Sequence, residues 1–246
     1  RNGKGKEYYK NGKLKFEGEY LNGERNGKGK EYYDNTKLKF EGEYLNGKKW
    51  NRKGYNYNGN MTFQIKEGQG NIKEYYDNGK LVFKGNYLDG VRNGKGKEYN
   101  YTNGEIEFEG EYLDGVRNGK GKEYYDNGKS KFKGEYLIGV RNGKGKEYDY
   151  YGKLRFEGNY LKRKRNGKGK EYYYNNSELE FEGEYLKGKR NGKGKEYYNN
   201  GKLLFDGEYL NGVRNGKGKE YYNNGKLRFE GEYLNGERNG KGKEYY

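Results

Sequence analysis

The chain has 246 residues, 37% of them charged and only 29% hydrophobic, with 53 Lys and Arg against 37 Asp and Glu for a net charge of +16. So small an apolar fraction excludes a conventional globular core, and the absence of Cys and His excludes disulfides and Cys or His metal centres. No apolar run approaches the roughly 20 residues that span a bilayer, and Arg1 to Lys6 do not resemble a signal peptide.

The first element, Asn2 to Tyr8, carries a motif, NGKGKEY, that recurs from Asn26, Asn93, Asn118, Asn142, Asn166, Asn191, Asn215 and Asn239. A fixed period with no intervening linker predicts one solenoid-like array over residues 1–246. Asn11-Gly12 then suits a two-residue type I′ turn, since both central positions need positive φ. Beyond it Leu14, Phe16, Gly18 and Tyr20 alternate with Lys15, Glu17, Glu19 and Leu21, the period of a strand. Counting back from the turn places Tyr9 opposite Leu14, Glu7 opposite Phe16, Gly5 opposite Gly18 and Gly3 opposite Tyr20. Lys6 and Lys4 then face Glu17 and Glu19 on the other side, as cross-strand charge pairs.

The second turn, Asn22 to Arg25, admits a two-residue loop that pairs Leu21 with Glu24 or a four-residue loop that pairs Leu21 with Asn26. The four-residue loop is the expected one, because it lets identical rows run straight from repeat to repeat. Glycine inside a strand is unfavourable unless something uses the space, so the glycine row is expected to lie under the neighbouring Phe and Tyr rings. Further along, Trp50 to Ile72 breaks the pattern: Arg52 replaces a glycine, and Ile65 and Ile72 fall on the glycine row. This degenerate repeat, residues 50–72, is expected to kink the ribbon or raise an apolar spot, with Trp50 as a partner anchor. Two copies gain one residue, at Tyr101 to Gly104 and at Tyr174 to Ser177, where a bulged loop absorbs it. Since the chain starts on an Arg that closes a preceding repeat and stops in mid-repeat, it reads as an excerpt of a longer protein.

The fold class that follows is all-β, an elongated single-layer antiparallel array of β-hairpins, about ten 24-residue repeats, twisted or coiled as open sheets of many strands are. The pattern G-x-G-x-x-x-Y, then N-G, then F-x-G-x-Y-x-N-G, seen in Gly3 to Gly23 and in Gly216 to Gly236, resembles the MORN repeat. An extra residue before the aromatic-x-Gly block, and Tyr20 where Trp is common, bring it closer to the variant form found in bacterial and antitoxin-like proteins. The resemblance implies a β-hairpin scaffold, with links in some relatives to acidic phospholipids or dimerisation, and carries no catalytic residue.

Chemistry is sparse. Ser130 and Ser177 are the only serines, so a nucleophile triad has no members, and Glu17 and Glu19 recur opposite lysines in the manner of a solvated face. No cofactor or enzymatic activity is expected. Arg25, Arg92, Arg117, Arg141, Arg165, Arg190, Arg214 and Arg238 share one position in the repeat and would line one edge about 10 Å apart, as candidate contacts for anionic head groups or an acidic protein. Trp50, Ile65 and Ile72 are the other candidate contacts. A protein partner or self-assembly is the leading expectation and an acidic membrane surface the second. Nucleic acid is not expected, because the tyrosines it would stack on are needed for packing.

Overall fold

A computed structural model describes all residues from Arg1 to Tyr246 and contains strands and turns with no helix. The chain forms two compact units, Arg1–Gly128 and Lys129–Tyr246. In the first, β1 (Gly3–Tyr8), β2 (Leu14–Leu21), β3 (Glu24–Tyr32), β4 (Leu38–Leu45), β5 (Lys48–Tyr55) and β6 (Met61–Ile65) pair in sequence order as one antiparallel sheet. A second sheet begins in the same unit with β7 (Gly70–Tyr75), β8 (Leu81–Leu88), β9 (Val91–Tyr99), β10 (Ile106–Leu113) and β11 (Val116–Tyr124), again neighbour to neighbour. The second unit holds β12 (Ser130–Leu137), β13 (Val140–Tyr148), β14 (Leu154–Leu161), β15 (Lys164–Tyr172), β16 (Leu179–Leu186), β17 (Lys189–Tyr197), β18 (Leu203–Leu210), β19 (Val213–Tyr221), β20 (Leu227–Leu234) and β21 (Glu237–Glu244), in the same order.

The strand bodies pair as the alternation requires. Gly3 faces Tyr20, Lys4 faces Glu19, Gly5 faces Gly18, Lys6 faces Glu17 and Glu7 faces Phe16. Both turns differ from expectation. At the first, the Gly12 amide donates to the Tyr9 carbonyl (3.0 Å), the Tyr9 amide donates to the Lys13 carbonyl (2.8 Å), and positive φ is confined to Gly12 (78°). This is a three-residue loop, a type I turn closed by one left-handed glycine, so Tyr8 and not Tyr9 pairs with Leu14 across a bulge. In the longer copies the bond stretches by one residue, from Tyr173 N to Glu178 O and from Asn100 N to Glu105 O, so the extra residue sits in this loop as expected.

The second turn is the tight one: Leu21 pairs with Glu24 and Tyr20 with Arg25, with Asn22 at φ 51° and Gly23 at 87°, the type I′ geometry. The straight rows survive nonetheless, because Gly18 pairs with Gly29 and Phe16 with Glu31. Between these two registers Glu19 lies opposite Asn26, Gly27 and Lys28, a bulge at which Gly27 turns to φ 79° and the Lys28 amide donates to the Glu19 carboxylate (3.0 Å). The turn therefore shifts the register by two residues and the bulge shifts it back. Successive turns are also chained: the Gly47 amide donates to the Arg25 carbonyl (3.0 Å), and Gly212 donates to Arg190 (2.9 Å).

The core is one ring thick. Phe16, Phe83, Phe132, Phe156, Phe181 and Phe205 are fully buried, and each ring lies over a glycine pair, whereas Phe40, 2% exposed, has Gly42 paired with Arg52 in place of a second glycine. A methyl group at Gly183 would sit 2.6 Å from Phe181 Cζ and 2.7 Å from both Gly194 Cα and Lys193 O. The row is thus empty of side chains because the ring fills it from above and the neighbouring backbone closes it from the side.

Candidate interaction surface

The alternation gives each sheet two unlike faces. On the aromatic face of the second unit, Phe and Tyr rings meet edge to face in an unbroken column, with Phe156 contacting Tyr160 at 5.5 Å and Tyr185 at 5.3 Å, and Phe181 contacting Tyr185 at 5.6 Å and Tyr209 at 5.1 Å. Such pairs are each worth about 0.5–1.5 kcal/mol beyond the area they bury. In the first unit the hydroxyls of Tyr20 and Tyr44 donate to Glu7 and Glu31 at 2.6 and 2.7 Å. Burial, followed by the same glutamates, pushes both phenols above their ordinary range.

The repeated arginines lie on this face and point inward. Arg25 stacks its guanidinium 3.9 Å from the Phe16 ring centroid, grips Glu7 through Nε (3.1 Å) and Nη2 (2.7 Å), and reaches Glu31 through Nη1 (2.6 Å). Arg190 repeats this over Phe181 at 4.2 Å, with Glu171 at 2.5 Å and Glu196 at 3.1 Å. Arg92, Arg117, Arg141, Arg165, Arg214 and Arg238 each cover the phenylalanine of their own repeat at 4.0–4.3 Å. Arg165 and Arg214 likewise bridge the glutamates of adjacent repeats, Glu147 and Glu171 for the first, Glu196 and Glu220 for the second. The position is shared, as the spacing implied, yet the charge is spent inside the array, where it caps the ring column and stitches repeats together. Burial raises the Glu31 carboxyl, but Lys49, Tyr44 and Arg25 outweigh it and hold it at about 2.

The opposite face is polar and lysine-rich. In the second unit it forms a trough of about 950 Å³, its floor the glycine backbone at Gly158, Gly169 and Gly183, its walls seven lysines against four acidic side chains. In the first unit a second trough of about 1250 Å³ runs over β1 to β6. Some facing pairs close, such as Lys6 with Glu17 at 3.8 Å and Lys146 with Glu157 at 2.8 Å. Lys4 faces Glu19 in register, but the Glu19 carboxylate is turned to the Lys28 amide. The first tyrosine of several EYY pairs also serves this face: Tyr32, Tyr172 and Tyr197 donate to Glu17, Glu157 and Glu182 at 2.6–2.7 Å.

Sequence reasoning missed one surface entirely. Leu137, Leu161, Leu186, Leu210 and Leu234 of the second unit, and Leu21, Leu45, Leu88 and Leu113 of the first, are 39–51% exposed. Each ends its strand on the lysine-rich side at the tight turn, so within each unit they form a row spaced at about 10 Å where repeats are regular. Leu88, Leu113, Leu137 and Leu210 face a valine directly, Val91, Val116, Val140 and Val213. The signal was in the sequence, as an invariant Leu at a position where alternation alone asks for a polar residue.

The degenerate segment interrupts the ladder. Arg52 pairs with Gly42 on one side and Ile65 on the other, and Ile72 pairs with Gly85, so all three stand on the glycine row as read from the sequence. Ile65 and Ile72 are 1% and 0% exposed: they fill the row from within and present no apolar spot. Between β6 and β7 the first sheet ends and the second begins, with an isolated Lys66–Gln69 bridge in the turn between them. Trp50 is half-buried, and its carbonyl accepts from the Gly68 amide at 3.0 Å.

No group of acidic side chains is arranged to hold a metal ion, and no helix is long and apolar enough to cross a membrane. Compared with protein families, the chain matches the MORN repeat over residues 16–36, 83–104, 108–130, 132–150, 156–178, 181–202, 205–226 and 229–246, and the MORN repeat variant over 1–22 and 69–89. No curated protein matches it significantly.

Proposed function

Because the chain belongs to the MORN-repeat family, a family of repeat scaffolds and not of catalysts, we propose that it is a non-catalytic scaffold that binds a protein partner along its lysine-rich face. The observation that carries this reading is the row of half-exposed leucines bordering the trough. A leucine repeated at one exposed position contributes nothing to the ring column, whereas a partner that covers five of them in the second unit gains apolar burial at about 25 cal/mol per Å². The excess of lysine over acid in the trough favours an acidic partner. Such a partner would bring register as well as attraction, because opposite charges then meet at fixed intervals.

The test places a photo-crosslinking residue at Leu186 in cells that make the protein, with Leu161→Asp and Leu210→Asp as the perturbation and the turn residue Lys162 as the control position. The reading expects a discrete protein adduct from position 186, lost on the aspartate changes, and none from position 162. Adduct formation that ignores the leucines, or binding to anionic vesicles with no protein adduct, would transfer the function to the family's membrane-associated alternative.

A further inference from the structure

We infer that the degenerate repeat holds a binding site for a small planar carboxylate, built around the Arg52 side chain on the aromatic face and separate from the leucine row. Arg52 is the one charged residue of the chain that is buried, at 6% exposure. Its Nε and Nη2 atoms are both buried and have no hydrogen-bond partner. These two atoms form the side-on edge of the guanidinium, the fork that matches the two oxygens of a carboxylate.

The rest of the array shows what that edge does when it is satisfied. Arg25 gives Nε and Nη2 to the two oxygens of Glu7, Arg190 gives the same pair to Glu171, and Arg238 gives them to Glu220. Arg52 enters from the glycine row instead of the usual arginine position, and the position equivalent to Arg25 in its repeat is taken by Lys49, which pairs with Glu31 at 2.5 Å. Of the other nearby carboxylates, Glu74 is held by Arg92 at 2.7 Å and Asp77 by Lys39 at 2.8 Å. Every acid around Arg52 already has a cation, and the leftover charge is positive.

The surroundings supply the remainder of the site. The Arg52 guanidinium lies 5.1 Å from the Phe63 ring and 5.2 Å from the Tyr87 ring, the place where regular repeats bring their Phe and the next Tyr into direct contact. Arg52 also lines a cavity of about 380 Å³ whose wall combines the rings of Tyr33, Phe40, Tyr55, Phe63 and Tyr75 with Lys39, Lys49 and Lys73 against Glu74 and Asp77. Aromatic walls accept a flat apolar body, and an unpaired guanidinium at the wall accepts its charged end. A buried polar group without a partner is costly, and an incoming carboxylate that reaches the Arg52 fork removes that cost. Phosphate shares the charge but not the flat body that the rings are shaped for.

Benzoate is the probe, with acetate and inorganic phosphate as the arms that remove the ring and the planar carboxylate in turn. On the full chain, side-chain Nε–Hε resonances of arginine are followed by NMR during each titration, the Arg52 signal being assigned through Arg52→Lys. The expected result is a saturable downfield shift of the Arg52 signal with benzoate at least about tenfold tighter than with acetate or phosphate, and a benzoate-dependent rise in melting temperature that Arg52→Met abolishes. Should Arg52→Met fail to fold, the titration of the unaltered chain still decides. No saturable shift with any probe, a shift spread equally over all arginines, or phosphate binding as tightly as benzoate would each overturn the site.

Discussion

Replacing Gly183 by Ala tests the ring-over-glycine core at a single atom. The new methyl would lie 2.6 Å from Phe181 Cζ, and even if the ring swung away it would still lie 2.7 Å from Gly194 Cα and Lys193 O, which are backbone. Overpacking of this kind costs about 1–3 kcal/mol. Displacing Phe181 also weakens its edge contacts with Tyr185 and Tyr209, at about 0.5–1.5 kcal/mol each, while the stiffer unfolded chain returns only about 0.4–1 kcal/mol. The net expectation is a loss of about 2–4 kcal/mol in urea unfolding followed by circular dichroism. In a Phe181→Leu background the penalty should shrink, because the ring that the methyl strikes is gone, leaving the backbone contacts alone. A Gly183→Ala chain within about 0.5 kcal/mol of the parent, or a penalty unchanged by Phe181→Leu, would refute the idea that the ring and the empty row are one packing unit.

Arg190→Gln should destabilise the array by about 1–3 kcal/mol, since it leaves the Glu171 carboxylate half-buried without its fork and uncovers Phe181; an unchanged urea midpoint would show that the clip is decorative. Acid should weaken the fold within a defined window. Glu31 and Glu109 are held at about 2 in the folded chain against an ordinary 4.5, so their contribution is complete above 4.5 and is lost as pH falls toward 2, measurable as a falling melting temperature; a melting temperature flat across that window would contradict the pairing. At the alkaline end Tyr32 and Tyr55 are pushed up to about 12 from 10.0, by burial with a bond to Glu17 in the first case and by the bond to Glu41 with burial in the second. Neutral phenol is the folded form, so this contribution is intact below 10 and disappears as pH rises through 12. Phenolate absorbance should therefore appear in step with loss of the β signal, and free titration of those tyrosines near pH 10 in the folded chain would count against their hydrogen bonds.

The body of each hairpin could be read from residue order because a period-two strand has only two faces, and Phe16, Gly18 and Tyr20 must share one of them. The turns could not, and the arginines went astray with them. In a four-residue loop Arg25 is a solvent-facing loop residue. In the tight turn it stands directly opposite Tyr20, and a cation beside two rings and two carboxylates has its role set by that neighbourhood. The deciding feature is the bulge at Asn26 to Lys28, which reconciles a tight turn with straight rows; its only mark in the sequence is Gly27, one glycine among 46. At the first turn Asn-Gly fits both a two-residue and a three-residue loop, and the bond from Gly12 to the Tyr9 carbonyl selects the latter. At the degenerate segment the row positions of Arg52, Ile65 and Ile72 were legible, while the fate of the arginine fork depends on which neighbouring acids are already taken, which is information carried only by three-dimensional proximity.

The register reset at the tight turn has a consequence for how such a chain can be copied. Because the two-residue shift at Asn22-Gly23 is cancelled within the next few residues, no error accumulates along the ladder, and every period begins in phase whatever preceded it. A tandem duplication or deletion of one whole period, starting at any point within it, therefore rejoins two compatible strands and needs no compensating change elsewhere. The first loop is tolerant of slippage by a residue, as the longer copies at Asn100 to Glu105 and Tyr173 to Glu178 show, whereas a slip between the tight turn and its bulge would throw all downstream rows onto the wrong face. Copy number is thus the free variable of this architecture, and the short stretch from Asn22 to Lys28 is its punctuation.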